Sequence, residues 1–326
     1  MSIEELFDNR PQVKKKLLNL LPSNPEKEIS SAEGAVGIGR FPSWLHRKLP
    51  LGGNLFSTTA ILKKNGLNTV CEEAKCPNRF ECYSNKTATF LALGKECTRS
   101  CGFCDIDFSK KPKAPEEDEP ARIASSVKEL DLKHVVITMV ARDDLPDGGA
   151  GHIAAIIREI RKESPSSTIE VLTSDFAENL PALDIVLHEA PEIFNHNIET
   201  VRSLTPRVRH KAMYDRTLSV LAYAKKSGKV SFVKSGIMVG LGESELEVQE
   251  TMQDLKNAGC DIITIGHYLQ ANRLKLSVKS FVTPEQFAAY EKFGYSIGIK
   301  HVYSGPFVRS SYNAHLIKDL TLQKTL

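Results

Sequence analysis

Six of the seven cysteines of this chain fall into two triplets with few residues between them. Cys71, Cys76 and Cys82 read C-x4-C-x5-C; Cys97, Cys101 and Cys104 read C-x3-C-x2-C. Each triplet offers three soft thiolates from one short stretch of backbone, the ligand set that iron–sulfur clusters use. A cluster of four irons held by three cysteines keeps one iron without a cysteine ligand. An open metal site is a place for chemistry, by the logic that separates catalytic from closed structural zinc. The bland alternative is a zinc knuckle with a fourth ligand elsewhere, but zinc pairs are usually spaced more widely than three thiols within residues 97–104. The seventh thiol, Cys260, is the obvious candidate for a missing fourth ligand, set against a plain role as a small buried hydrophobe.

Other polar segments could also do chemistry. Asp143, Asp144 and Asp147 in RDDLPDGG (142–149) fit divalent metal or acid–base work, or simply a solvated acidic loop. Asn195, His196 and Asn197 form an NHN run. Gly236-x3-Gly240-x-Gly242 is rich in glycine, but its spacing is not G-x-G-x-x-G and no acidic residue ends the next strand, so it does not read as a dinucleotide site.

Alternating apolar runs and amphipathic stretches must position these groups. Strands are expected at 87–93, 134–140, 168–173, 192–195, 231–239, 261–266 and 301–303. Helices are expected at 121–132, 151–162, 179–188, 214–227, 245–258 and 284–293. TTAILKKNGL reads as a further helix stopped by Gly66, and residues 11–21 as a short one; Lys14, Lys15 and Lys16 read as a solvated face. Buried strands alternating with helices give a parallel sheet with right-handed crossovers. Six strong βα units and a partial seventh fall short of the eight of a closed barrel, so the expected fold is α/β, a partial, open TIM-type (β/α)6 barrel. The expected division is a lead-in at 1–40, a cysteine-rich N-terminal extension at 41–86, the barrel at 87–304 and a C-terminal segment at 305–326. The loops after the strand C-termini form the active face. The second triplet, RDDLPDGG, NHN, VGLGE (239–243), HYLQ (267–270) and GPFVRSSYNA (305–314) all fall there. Cys260 precedes a strand and falls on the opposite face.

The gross numbers exclude several classes. A net charge of +3 over 326 residues is too small to argue for nucleic acid. No apolar run approaches a membrane span, and the first residues lack the apolar core of a secretory signal. The cytoplasm is the expected setting; thiols stay reduced there, and clustered cysteines point to metal or catalysis.

C-x3-C-x2-C resembles the signature of the radical S-adenosylmethionine (SAM) superfamily. The longer stretch CEEAKCPNRFECYSNKTATFLALGKECTRSCGFCD resembles the lipoyl synthase family within it. So do ARDDLPDGGA (141–150), NHN, KSGIMVGLGE (234–243) and GPFVRSSYNA. The resemblance implies that Cys97, Cys101 and Cys104 hold a [4Fe–4S] cluster whose open iron chelates SAM, and that SAM is cleaved there to a 5′-deoxyadenosyl radical. It implies an auxiliary [4Fe–4S] cluster on Cys71, Cys76 and Cys82 with a serine of the RSSY motif as fourth ligand. That serine is Ser311 here, with Ser310 as fallback. The implied activity is sulfur insertion at C6 and C8 of a protein-bound octanoyl chain, with two SAM per product and the auxiliary cluster consumed as sulfur donor. Arg142 and Asp143 are then expected at the methionyl end of SAM, Asn197 at its ribose or the substrate, and Gly240 on its adenine side. The implied partners are octanoylated carrier domains (2-oxo acid dehydrogenase E2 subunits and the glycine cleavage H protein), ferredoxin or flavodoxin as electron donor, and an iron–sulfur carrier for repair. One departure is visible: GHYLQA (266–271) stands where the family often has GQYLQP, which touches substrate positioning and leaves fold and clusters alone. Other sulfur-inserting enzymes, of the biotin synthase or tRNA methylthiotransferase kind, are disfavoured by the RSSY tail and the C-x4-C-x5-C spacing. A ferredoxin-like electron carrier would need four cysteines per cluster.

Overall fold

The structure is a computed structural model that describes residues 42–46 and 54–311. The chain divides into two units, 1–46 and 47–326. Of the first, only a single 3-10 turn, Ser43–Leu45, is described; the expected lead-in helix and the lysine run at 14–16 lie outside the described residues.

The second unit is built on seven parallel strands. β1 (Thr89–Ala92) heads the sheet, and a two-residue parallel ladder of β2 (Glu96–Cys97) and β3 (Asp107–Phe108) follows it. The sheet continues through β4 (His134–Met139), β5 (Thr168–Leu172), β6 (Ile193–Asn195), β7 (Phe232–Val239), β8 (Ile262–His267) and β9 (His301–Gly305). Spatial order is β1-β4-β5-β6-β7-β8-β9, every pairing parallel, and β1 is not joined to β9. This is the open barrel that the alternation predicts. Parallel strands need helical crossovers, which bury both sheet faces. The runs VVITM and IITIGH are accordingly buried throughout.

The six expected crossover helices form, with ends shifted by up to three residues, and three short helices are additional. α1 (Asn54–Lys64), α2 (Val70–Glu73) and α3 (Arg79–Ser84) precede β1. α4 (Glu119–Glu129), α5 (Ala150–Glu163) and α6 (Leu180–His188) cross between the next strands. α7 (Thr205–Val208) and α8 (Tyr214–Lys226) lie between β6 and β7, α9 (Glu245–Asn257) between β7 and β8, and α10 (Pro284–Ser296) between β8 and β9. Ile153, Ile156, Ile157 and Ile160 are the buried stripe of α5. Ser244 and Glu247 close a reciprocal capping box on α9. The short α2, α3 and α7 have too few turns to show a period.

The open sheet leaves two strand edges with unpaired backbone. The extension before β1 meets both. On one side Thr69 bridges Phe90 antiparallel and Leu91 N–H donates to Asn68 O at 2.9 Å. On the other, Asn78 Nδ2 donates to Phe307 O at 2.7 Å, just past β9.

A charged layer crosses the sheet. Lys234 Nζ of β7 lies 3.0 Å and 3.1 Å from the two Glu170 carboxylate oxygens of β5. Asn195 Nδ2 of β6 donates to Glu170 at 2.8 Å, and His134 Nε2 of β4 lies 3.6 Å away. Burial alone would raise the Glu170 pKa, but the Lys234 ammonium outweighs it and holds the carboxyl down at about 2. A folded pKa below the unfolded value of about 4.3 contributes stability above that value, and the contribution is lost as pH falls toward about 2. Lys234→Met strands a buried carboxylate and is expected to cost about 3–5 kcal/mol near neutrality. In chemical denaturation the difference from wild type should begin to shrink above the ordinary carboxylate value of about 4.3, because burial without Lys234 lets Glu170 take up a proton early in the variant, and it should shrink further as wild type loses its own contribution toward about 2.

Candidate metal centre

The C-x4-C spacing of the first triplet has a local cause. Thr69 caps α2 by accepting from Glu72 N–H, and α2 ends after one turn. Cys76 N–H then donates to Cys71 O and Lys75 N–H to Glu72 O, both at 3.1 Å. This is a Schellman closure, which bonds the residue at one cysteine position to the residue at the other. Lys75 occupies the left-handed position at φ +50°. A residue other than glycine pays about 1 kcal/mol there. Arg79 N–H donates to Cys76 O as α3 begins, and α3 carries Cys82. It ends in a second Schellman closure, with Thr87 N–H on Cys82 O at 2.8 Å and Lys86 at φ +54°. Two short helices closed in this way carry all three cysteines on one compact stretch of backbone.

The second triplet is held from three sides. Thr98 N–H and Oγ1 both donate to Ala141 O at 3.0 Å, which ties the loop to the turn after β4. Gly102 N–H donates to Val208 O of α7, and Leu276 N–H donates to Gly102 O. Cys104 N–H donates to Cys101 O, and Arg99 N–H to Cys97 Sγ at 3.4 Å. Phe103 packs against Val208, Leu241 and Tyr268.

Both triplets suit an iron–sulfur cluster in their chemistry. Burial pushes the Cys71 thiol up to about 12, reinforced by Cys76, and the Cys104 thiol up to about 12, reinforced by Cys101 and Cys97. Cys101 is raised as well, by burial first. Buried thiolates so close together stay charged only with a cation among them, and metal binding then releases protons. Among the described residues no three His, Cys, Asp or Glu side chains converge as the ligands of a single ion do. In a four-iron cluster each thiolate binds a separate iron, so its thiols stand further apart.

The candidate SAM residues sort into two groups. Arg142 and Asp143 belong to a buried charge network. Arg142, 1% exposed, grips Asp144 through Nε and Nη2 at 2.8 Å each. Asp143 is held by Arg99 Nη2 at 2.6 Å and by Thr98 Oγ1 at 3.0 Å. Arg99 also reaches Asp175 at 2.6 Å. Burial opposes each of these charges, but Arg99 outweighs it and keeps Asp143 and Asp175 well below the usual carboxylate range. Asn197 and Gly240 face the other way in chemical terms. Asn197 Nδ2 donates to Ser310 Oγ at 3.0 Å and Glu199 at 3.1 Å, while its buried Oδ1 has no partner. Gly240 has φ +101°, and a Cβ there would sit 2.8 Å from His267 Cε1 and from Ser280 O. Only glycine fits that turn.

The rest of the NHN run serves the scaffold. Asn195 donates to Glu170. His196 is bonded to Thr173 O and Thr217 Oγ1, and burial lowers its pKa to about 4, so it is neutral near neutrality. His267, the departure within GHYLQA, stacks on Phe281 at 5.6 Å and is kept neutral by burial. Arg99, Asp175 and Glu199 are site residues that the sequence reading does not single out. The one signal for Arg99 is its place inside the C-x3-C loop; Glu199 lies two residues past NHN, and burial raises its pKa.

The C-terminal segment crosses the same face. His267 N–H donates to Pro306 O, and a Cβ on Gly266 would lie 2.0 Å from Val308 O, so this close passage also requires glycine. Ser310 and Ser311 follow Phe307, whose carbonyl accepts from Asn78 of the first triplet's loop. Cys260 lies on the opposite side, 2% exposed between Gly259 and β8, with its thiol raised by burial. Cys260→Ala is expected to leave iron content unchanged on metal analysis and to cost about 1 kcal/mol in thermal unfolding.

The chain matches the radical SAM superfamily over residues 91–266. It is 62% identical to the lipoyl synthase of Protochlamydia amoebophila over 321 residues, 98% of each chain. It is 55% identical to the lipoyl synthase of Chlamydia felis over 293 residues, 90% of this chain and 94% of the relative. Among solved structures it resembles Streptococcus suis SuiB bound to S-adenosylmethionine, with a TM-score of 0.54 at 11% identity, covering 76% of this chain and 53% of that one. It also resembles HydG, a maturase of the [FeFe]-hydrogenase, with a TM-score of 0.51 at 16% identity, covering 72% and 62%. Those likenesses speak for the fold alone. With the two cysteine loops on the C-terminal side of an open parallel barrel, the chain belongs to the lipoyl synthase family of the radical SAM superfamily.

Proposed function

We propose that this chain inserts sulfur at C6 and C8 of an octanoyl chain carried on a protein, drawing the sulfur from a group held by Cys71, Cys76, Cys82 and Ser311. When bound, the two clusters and SAM supply a 5′-deoxyadenosyl radical and the sulfur atoms. The chain's own residues hold and orient. Cys97, Cys101 and Cys104 present one set of thiolates, on a loop anchored by Arg99 through Asp143 and Asp175. Arg142, fixed by Asp144, stiffens the neighbouring turn at the methionyl end of SAM. Asn197, through its unpartnered Oδ1, offers a polar acceptor for the ribose, and the tight Gly240 turn lies on the adenine side.

The observation that carries the reading is the Asn78–Phe307 hydrogen bond. It joins the first triplet's loop to the serine-bearing segment some 230 residues on. Ser310 Oγ accepts from Asn197, which favours Ser311 as the ligand. In this reading 41–86 and 305–326 together house the sulfur source, and 87–304 houses the radical site. The partners are octanoylated E2 subunits and H protein, ferredoxin or flavodoxin as donor, and an iron–sulfur carrier for repair, in a cytoplasmic setting.

Anaerobic reconstitution tests this directly. About eight irons per chain are expected, and a mass gain from added sulfur on an octanoylated carrier domain given SAM and reductant. About four irons, or no mass gain, overturns the reading. An alkoxide is harder and more basic than a thiolate, so it is the easier ligand to protonate and release. Ser311→Cys should therefore load iron normally yet give less lipoyl product, and an unimpaired yield would remove the lability argument.

A further inference from the structure

The two cysteine loops are joined side chain to side chain. Lys75, next to Cys76, places Nζ 2.7 Å from Oδ2 of Asp105, next to Cys104. Asn272 Nδ2 donates to the other oxygen of Asp105. The segment that carries Asn272 is fastened to the same face. Leu276 N–H donates to Gly102 O at 3.0 Å, Lys279 N–H to Gly240 O at 2.8 Å, and Tyr268 Oη donates to Leu276 O at 2.7 Å. Asp105 also lies close enough to Tyr268 to reinforce the effect of burial, which pushes the phenol up to about 12. One carboxylate thus gathers the first triplet's loop, the second triplet's loop and the β8–α10 connection.

Two features separate this contact from an ordinary surface ion pair, which contributes little. The Asp105 side chain is 7% exposed although that of Lys75 is 59% exposed. A carboxylate so buried needs compensation, and Lys75 with Asn272 supplies it. Lys75 also stands at φ +50°, a position that favours glycine or asparagine. The chain keeps a long cationic side chain where the backbone alone would not select one.

We propose that Lys75, Asp105 and Asn272 form a positioning clasp that sets the first cysteine loop against the second, so that radical source and sulfur source address the same acyl chain. The inference rests on the function proposed above. None of the three acts on a reacting atom; they act through the loops they hold. A small displacement between two reacting groups costs rate steeply. A chain with an open clasp should therefore still cleave SAM while transferring less sulfur.

The test uses the full reconstituted chain with Lys75→Gly, Lys75→Arg and Asp105→Asn. Glycine suits φ +50°, which offsets part of the cost of stranding Asp105, so Lys75→Gly should lose at most a few degrees of thermal midpoint and keep its iron content. Its amide hydrogen exchange across residues 97–105 should speed up. The 5′-deoxyadenosine formed per lipoyl product should rise by about tenfold or more. Asp105→Asn should behave alike, and Lys75→Arg should restore both readouts. Unchanged exchange and an unchanged ratio in Lys75→Gly and Asp105→Asn overturn the clasp. So does a loss of iron, or a fall in deoxyadenosine and product together, because an ordinary stability contact would give those. A wild-type chain that cleaves SAM without forming any lipoyl product refutes the proposed function instead, and the exchange readout then still judges the clasp.

Discussion

Everything in this structure depends on a sheet that does not close. Seven parallel strands give a curved sheet with two free edges, each a row of unpaired backbone groups that must be covered. At β1 the cover is the cysteine-rich extension. It lies along β1 through Asn68 and Thr69 and reaches the far side through Asn78 and Phe307. A closed eight-stranded barrel would have no gap for a second metal-binding segment. The opening is thus what leaves room for the first cysteine triplet's loop beside the second.

The fold was largely legible in the residues. Apolar runs such as HVVITMV and the isoleucine stripe of α5 carry period and burial together, so strand and helix positions follow from them. Where the reading fell short, the missing information was non-local or too short to have a period. One-turn helices at 70–73, 79–84 and 205–208 are defined by their caps and closures. The ladder of Glu96–Cys97 with Asp107–Phe108 exists only because the intervening loop folds back.

The candidate site was legible in its cysteines and much less so in its charges. Three thiols within eight residues advertise themselves. The partners of Asp143 do not: nothing in the sequence singles out Arg99, which takes Asp143 in three dimensions while Arg142 takes Asp144. Likewise NHN reads as one polar motif, yet Asn195 and His196 bond into the scaffold while Asn197 reaches Ser310 of the C-terminal segment. Side-chain direction at a strand end alternates, so neighbours in sequence serve opposite layers.

The charged layer of Glu170, Lys234, Asn195 and His134 has a consequence for the candidate site. These groups are buried inside the sheet, where Lys234 and Asn195 each commit a donor to Glu170. An ion pair so enclosed cannot give up its partner without stranding a charge. The layer therefore acts as a rivet through the sheet, tying β5 to the two strands whose ends lead into Asn197 and Gly240.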